Sequence, residues 1–315
     1  MTGPSDVENS RRLGKTDIRI TTIGLGAWQW GDRWVWSYGS THHRHDVREA
    51  FEVSRRAGIN WVDTAEAYSN GTSERLLGEF LRQSPGPVVL ATKFMPFPWR
   101  LRRQDLIKAL RRSLDRIGVA QVDLYQIHQP LPPVAIQTWM LAMVEAHALG
   151  LVRAVGVSNF NREQMLRAAE ALDRYGMPLA SNQVRFNLLA LKPETDGLLA
   201  ACREHSITLI AYSPLGQGLL SGKYDAARRP PGVRRWMAPR LSAERLDRLV
   251  GVLRQIGQTQ DSHTPAQVAL NWVIAKGAVA IPGAKNAAQA EENAGAMGWQ
   301  LTAAQVATLD EAAAG

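Results

Sequence analysis

Eight short β-branched runs, each followed by a stretch able to form an amphipathic helix, constrain how this chain can fold more than any other feature. The runs are TTIGLGAW, INWVDTA, PVVLATKF, VDLYQIH, VRAVGVSN, LASNQVRF, ITLIAYSPL and VAIPGAK. Between them lie helical patterns such as RHDVREAFEVSRRAG, QDLIKALRRSLDRIG, VAIQTWMLAMVEAHALG and NREQMLRAAEALDRYG. Several end at Gly58, Gly118, Gly150 or Gly176, where a left-handed residue lets a helix stop. Thr72 and Glu74 open the stretch TSERLLGEFL, and Asn161 is expected to cap the helix after the fifth run. Strict alternation of strand and helix demands parallel strands joined by right-handed crossovers.

Eight such units over roughly 290 residues fit an α/β fold of the closed (β/α)8 TIM barrel type; a doubly wound open sheet is the alternative. No long linker and no shift in composition divides the chain, so residues 1–315 read as a single domain, with the barrel proper at about 20–297. Residues 12–20 (RLGKTDIRI) read as an N-terminal hairpin plugging one mouth of the barrel. LTAAQVATLDEAAA reads as a C-terminal extra helix, and 224–240 as the longest loop.

Composition narrows the function. A chain of 315 residues that is 45% hydrophobic excludes intrinsic disorder. The single cysteine, Cys202, excludes a disulfide framework or a cysteine-rich metal site, and it is expected to be a small buried hydrophobe. No apolar run approaches the length that spans a bilayer, and the polar start MTGPSDVENSRR lacks a secretory core. The expected setting is a reducing, cytoplasmic one, and the expected state a monomer or weak homo-oligomer. The net charge is +8, but the 37 basic residues are dispersed, as in RLSAERLDRLVGVLRQ, which argues against nucleic acid and membrane partners. The densest cluster, Arg228, Arg229, Arg234, Arg235 and Arg240, suits an anionic cofactor. His42, His43 and His45 are expected to be solvated, with no metal.

In such a barrel the active site forms at the C-terminal ends of the strands. Asp63 ends the second run and Tyr68 follows it; Lys93 ends the third and His128 the fourth. Ser158 and Asn159 end the fifth, Asn182 and Gln183 lie in the sixth, and Tyr212, Ser213 and Pro214 end the seventh. A tyrosine is a weak acid near neutrality, and an adjacent ammonium is expected to lower its pKa. A buried lysine needs a carboxylate to stay charged, and Asp63 supplies one. A histidine alongside can orient a carbonyl oxygen. The set suits protonation of a carbonyl, and since no side chain delivers hydride, a nicotinamide is required.

The segments DTAEAY, ATKF, DLYQIH, GVSNF, NQV, AYSPLGQGLLSGKY and IPGAKN occur in this order across almost the whole chain. Together they resemble the aldo-keto reductase superfamily, with surrounding text closest to its plant and bacterial branch. The resemblance implies a barrel binding NADP(H) across the strand ends and reducing aldehydes or ketones, small-molecule carbonyl substrates. It implies that Tyr68 is the general acid, Lys93 its neighbour, Asp63 the partner of Lys93, and His128 the residue that orients the carbonyl. Ser158, Asn159 and Gln183 are implied to hold the carboxamide, and Tyr212 to stack on the nicotinamide, with Ala27 and Trp28 bordering it. Ser213, Pro214, Leu215, Gly216, Gln217, Gly218 and Lys223 are implied along the pyrophosphate. Gly283, Lys285, Gln289, Glu292 and Asn293 are implied at the adenosine end, with Lys285 on the 2′-phosphate and Gln289 where relatives often carry arginine. Arg234 lies near a position where relatives clamp the cofactor. An NADP(H)-binding regulatory subunit with little turnover is the rival reading.

Two glycine patterns are rejected. Gly216 to Gly222 is one residue too long for a dinucleotide fingerprint, and Gly218 to Lys223 one short of a P-loop, with Tyr224 where Ser or Thr is needed. Trp30, Trp34, Trp36 and Tyr38 crowd the loop after the first run and read as an apolar or aromatic substrate pocket, with Trp99 as a further wall.

Overall fold

Each of the eight β-branched runs forms a strand in the computed structural model, which describes residues 9–225, 230, 232–233, 242–259 and 262–314. They are β1 (Leu25–Gly26), β2 (Trp61–Asp63), β3 (Val89–Phe94), β4 (Val122–Ile127), β5 (Val152–Ser158), β6 (Leu179–Arg185), β7 (Thr208–Tyr212) and β8 (Val279–Ile281). Every neighbouring pair is parallel and in chain order, as right-handed strand–helix–strand crossovers require. The sheet closes on itself where Ile23 bridges Ala280 and Gly26 bridges Gly283. Backbone bonds from Gly24 N to Ala280 O (2.8 Å) and Gly26 N to Pro282 O (3.0 Å) hold this seam. A closed parallel barrel is therefore the fold, and the open-sheet alternative is set aside.

The helices between strands include Arg44–Arg56, Thr72–Gln83, Arg103–Ile117, Ile136–Ala148 and Arg162–Asp173. Glycines at 58, 118, 150 and 176 adopt positive φ shortly after four of them, as read from the sequence. Asn161 caps the fifth, its side chain accepting from Gln164 N at 2.8 Å. Helix faces pack on the barrel through one large cluster that includes Phe51, Phe80, Phe94, Trp139 and Trp272.

A second cluster fills the barrel's N-terminal interior. It takes one layer of side chains from the strands, Trp61, Ala91, Leu124, Ala154, Ala180, Ile210 and Val279, and closes them with Leu13, Ile18 and Ile20. Those three belong to the expected hairpin, Ser10–Arg12 paired antiparallel with Arg19–Thr21. The plug sits tightly. A Cβ at Gly14 would lie 2.6 Å from the carbonyl oxygen of Ala180, so only glycine lets the hairpin turn reach the barrel floor. The C-terminal helix, Ala303–Ala314, is held from outside by Asp310, which accepts from Trp272 Nε1 (2.8 Å) and Lys276 Nζ (2.6 Å). Cys202 is buried as expected, and burial pushes its thiol up to about 12.

With one end plugged, polar side chains can gather only at the other, the C-terminal strand ends. No helix among the described residues is long and apolar enough to cross a membrane.

Candidate active site

Strand alternation aims the polar residues inward. In β3, Thr92 and Phe94 face the helices while Lys93 faces the barrel axis, level in register with Gln126 of β4. A Cβ at Gly156 of β5 would meet the Gln126 side chain at 3.1 Å and Ser181 Oγ at 2.3 Å, so a glycine there clears the interior for the amide. Asp63, Lys93, Gln126 and Gln183 are all buried. Asp63 Oδ2 pairs with Lys93 Nζ, and Asp63 Oδ1 accepts from Gln183 Nε2 (2.8 Å) and Gln126 Nε2 (3.1 Å). Lys93 Nζ also donates to Thr64 O (2.9 Å) and to the Tyr68 hydroxyl (3.1 Å).

Tyr68 arrives on a tight turn. Residues 69, 70 and 71 all take positive φ before helix Thr72–Gln83 begins. Two side chains at the start of that helix anchor it. Ser73 Oγ reaches Ala27 O (2.8 Å), and buried Glu74 accepts from Thr92 Oγ1 (2.6 Å) and Arg116 Nε (2.6 Å). Just before Tyr68, Glu66 pairs with Arg100 and accepts from Met95 N (2.8 Å), lacing the loops after β2 and β3 together. The turn bearing the hydroxyl is thus fixed from both sides.

Burial raises the Tyr68 pKa; Lys93 pulls it back only in part, so the net shift is upward, opposite to the sequence expectation. Burial also works against a charged Lys93, but the Asp63 carboxylate and Tyr68 outweigh it and hold its pKa above the ordinary value. His128, edge-on to Tyr68 with ring centroids 5.6 Å apart, is pushed down to about 3 by burial and by the charge of Lys93. At neutral pH its ring is uncharged.

Asp63, Tyr68 and His128 line a cleft of about 400 Å³ at the strand ends, and Lys93, bonded to the first two, is fully buried behind this lining. Ala27, Trp28, Ser158, Asn159, Gln183 and Tyr212 line it too. Asn159 ties the rim together, donating to His128 O (3.0 Å) and Ser158 Oγ (3.1 Å) and accepting from the Tyr212 hydroxyl (2.9 Å). Ser213, Pro214, Leu215, Gln217, Gly218 and Lys223 line the same cleft, as do Gly283, Lys285, Gln289, Glu292 and Asn293. Gly216 lies outside this lining, buried against Leu189. Gln289 Oε1 accepts from Lys285 N (2.9 Å), and Asn286 caps the helix Ala287–Ala294 through Gln289 N. Arg234 and the other arginines of its cluster lie outside the described residues.

The aromatic pocket read from the sequence is only partly present. Trp36 lines the cleft, joined by Trp28, whose ring stacks at 6.2 Å on Tyr68 and meets Trp36 edge-on at 5.6 Å. Trp30 is fully buried in the core against Phe51 and Phe80 and donates to Ala284 O. Trp34 is 89% exposed, and Trp99 is 73% exposed and stacked on Phe97, both away from the cleft. Spacing alone did not separate a wall from a core residue or a surface one. His42 is likewise not solvated: it is buried, bonded to Gln29 O and Thr41 Oγ1. No group of side chains suited to a metal is present among the described residues. Sequence reasoning missed Gln126 and Gln29; Gln126 was readable, two residues before His128 on the inward face of DLYQIH.

An elongated dinucleotide fits this cleft. Its lining combines the amides and hydroxyls of Ser158, Asn159, Gln183 and Tyr212 with two lysines, Lys223 and Lys285, and the Gln217 Oε1 atom is buried without a partner among the described residues. Gln217 and Gly218 are left-handed, so the backbone turns sharply in the stretch that lines the cleft.

Comparison with known proteins agrees. The model of the Aldo/keto reductase family matches residues 22–314. The chain is 39% identical to a chloroplastic pyridoxal reductase of Arabidopsis thaliana over 94% of its own length and 84% of the relative's. A glycerol dehydrogenase from Gluconobacter oxydans superposes with a TM-score of 0.84 at 26% identity, covering 97% of this chain and 95% of that one. An aldo/keto reductase from Klebsiella pneumoniae, solved with NADP and acetate, superposes with a TM-score of 0.75 at 27% identity, covering 96% and 95%. The chain belongs to the aldo/keto reductase family of oxidoreductases.

Proposed function

We propose that the cleft binds NADP(H) and reduces the carbonyl group of a small aldehyde or ketone to an alcohol, with Tyr68 as the proton donor. The observation that carries this reading is the buried contact of Lys93 Nζ with both Asp63 and the Tyr68 hydroxyl, beside an uncharged His128. A bound nicotinamide supplies the hydride that no side chain can, and the Klebsiella relative with NADP supports this choice of cofactor. Ser158, Asn159 and Gln183 would hold the carboxamide, Tyr212 would cover the ring, and residues 213–218 and Lys223 would follow the pyrophosphate. Gly283, Lys285, Gln289, Glu292 and Asn293 would hold the adenosine end, with Lys285 on the 2′-phosphate.

The chain's own residues then divide the proton work. His128, uncharged, offers a ring N–H that orients the carbonyl oxygen. Tyr68, a phenol with its proton held by burial, donates that proton as negative charge builds on the oxygen. The Lys93 ammonium stabilises the phenolate left behind, and Asp63 keeps the buried Lys93 charged. Trp28 and Trp36 give the substrate an apolar wall. That wall, and the name of the Arabidopsis relative, support planar aromatic aldehydes as the first substrates to try. Run in reverse, the same groups oxidise an alcohol.

Tyr68→Phe tests the assignment. Turnover should fall by about 10²–10⁴-fold while the Kd for NADPH, read by calorimetry, stays within about twofold. Unchanged turnover would remove Tyr68 as the acid.

A further inference from the structure

We infer that Trp36, from the loop after β1, sets the preference for the cofactor's 2′-phosphate and couples that end of the cleft to the substrate wall. The inference rests on the reading that Lys285 meets the 2′-phosphate. Lys285 Nζ donates to the backbone oxygen of Trp36 at 2.8 Å and lies 5.2 Å from the centre of its ring. Trp36 is 8% exposed and Lys285 half-buried, so the ammonium meets the π face in a partly desolvated setting, where a cation is held more firmly than on an open surface.

The same ring meets Trp28 edge-on, and Trp28 stacks on Tyr68. A continuous aromatic contact therefore runs from Lys285 through Trp36 and Trp28 to the proposed proton donor. The loop itself is fixed. Buried His42 bonds to Gln29 O at 3.1 Å, and Gln29 lies so close to Gly283 that a Cβ there would come within 2.1 Å of its carboxamide. Trp36 thus holds the flexible lysine in one place before any ligand arrives. A long side chain ordered in advance loses less entropy on binding, so Trp36 strengthens the grip of Lys285 without touching the phosphate. Sharing a wall with the substrate, it also transmits the state of the lysine to the aromatic surface, and that coupling acts in both directions.

The test measures Kd for NADPH and for NADH by calorimetry on wild type, Lys285→Met, Trp36→Met and Trp36→Phe. Trp36→Met should weaken NADPH by about five- to twentyfold and leave NADH within about twofold, and Trp36→Phe should retain most of the preference. Trp36→Met should also raise KM for an aromatic aldehyde more than it lowers kcat. A loss equal for both cofactors would mark a structural role and overturn the inference. If Lys285→Met abolishes the preference while Trp36→Met keeps it, the inference falls and the reading of Lys285 stands. If Lys285→Met leaves the preference intact, both fall. Should Trp36→Met not fold, tryptophan emission decides. Adenosine 2′,5′-bisphosphate, which lacks a nicotinamide, should change emission of the wild type, and Trp36→Phe should remove the change. No change in the wild type, or an equal change in the variant, overturns the inference.

Discussion

Lys93 Nζ lies 3.1 Å from the Tyr68 hydroxyl and 4.8 Å from the centre of its ring, while the same ammonium pairs with buried Asp63. One cation therefore serves a carboxylate and a phenol at once. Its value to the phenol depends on the carboxylate, because Asp63 is the largest influence opposing the pull of burial on the Lys93 pKa.

Lys93→Met should accordingly do two separable things. It leaves Asp63 buried with only two amide donors, a loss of about 3–5 kcal/mol of stability for a broken buried pair. It also removes the charge that supports a phenolate at Tyr68, so kcat should fall by about 10²-fold or more. The double variant Asp63→Asn/Lys93→Met should regain much of the stability, measured by urea unfolding, and none of the activity. Recovery of turnover in the double variant would show that the pair serves folding alone.

His128 sets the pH behaviour. Its pKa is about 3 when folded and about 6.5 when unfolded, so between these values the unfolded chain binds the extra proton. The associated stability is fully present above pH 6.5 and is lost progressively as pH falls towards 3. His128→Asn should flatten this part of the curve, read as urea midpoints at pH 7 and pH 4.5. Activity should show no limb near pH 6.5 from this residue. A wild-type limb there that vanishes in His128→Asn would contradict the neutral ring.

The tryptophans after β1 make a contrast that needs no cofactor. Trp30→Ala should cost about 3–5 kcal/mol, because it empties a core site against Phe51 and Phe80. Trp34→Ala, at a residue 89% exposed, should stay within about 0.5 kcal/mol and leave KM for an aromatic aldehyde unchanged. A raised KM in Trp34→Ala would return that residue to the substrate wall.

Much of the fold was legible because parallel strands and crossover helices have different periods, and each run read as a strand became one. The inward-facing set Asp63, Lys93, Gln183 was legible too, since a charged or amide residue at the end of an apolar strand has few other uses. What period could not carry was direction within a loop. Trp30, Trp34 and Trp36 stand within seven residues and differ from fully buried to 89% exposed, because an irregular backbone turns each ring a separate way. Nor could the sequence weigh burial against charge. The Tyr68 pKa shifts upward because desolvation exceeds the pull of Lys93, and that balance depends on the packing around the phenol.

The closure between β1 and β8 rests on isolated bridges, where β3–β4, β4–β5 and β6–β7 share longer ladders. Across that joint, Trp30 reaches Ala284 and Trp36 reaches Lys285, so the loop from one lip is laced to the other. The barrel behaves as a hoop with a single clasp, and the clasp is also a wall of the binding cleft. Anything that grips both lips tightens the hoop, and native-state hydrogen exchange should register it first at Gly24, Gly26 and Ala280.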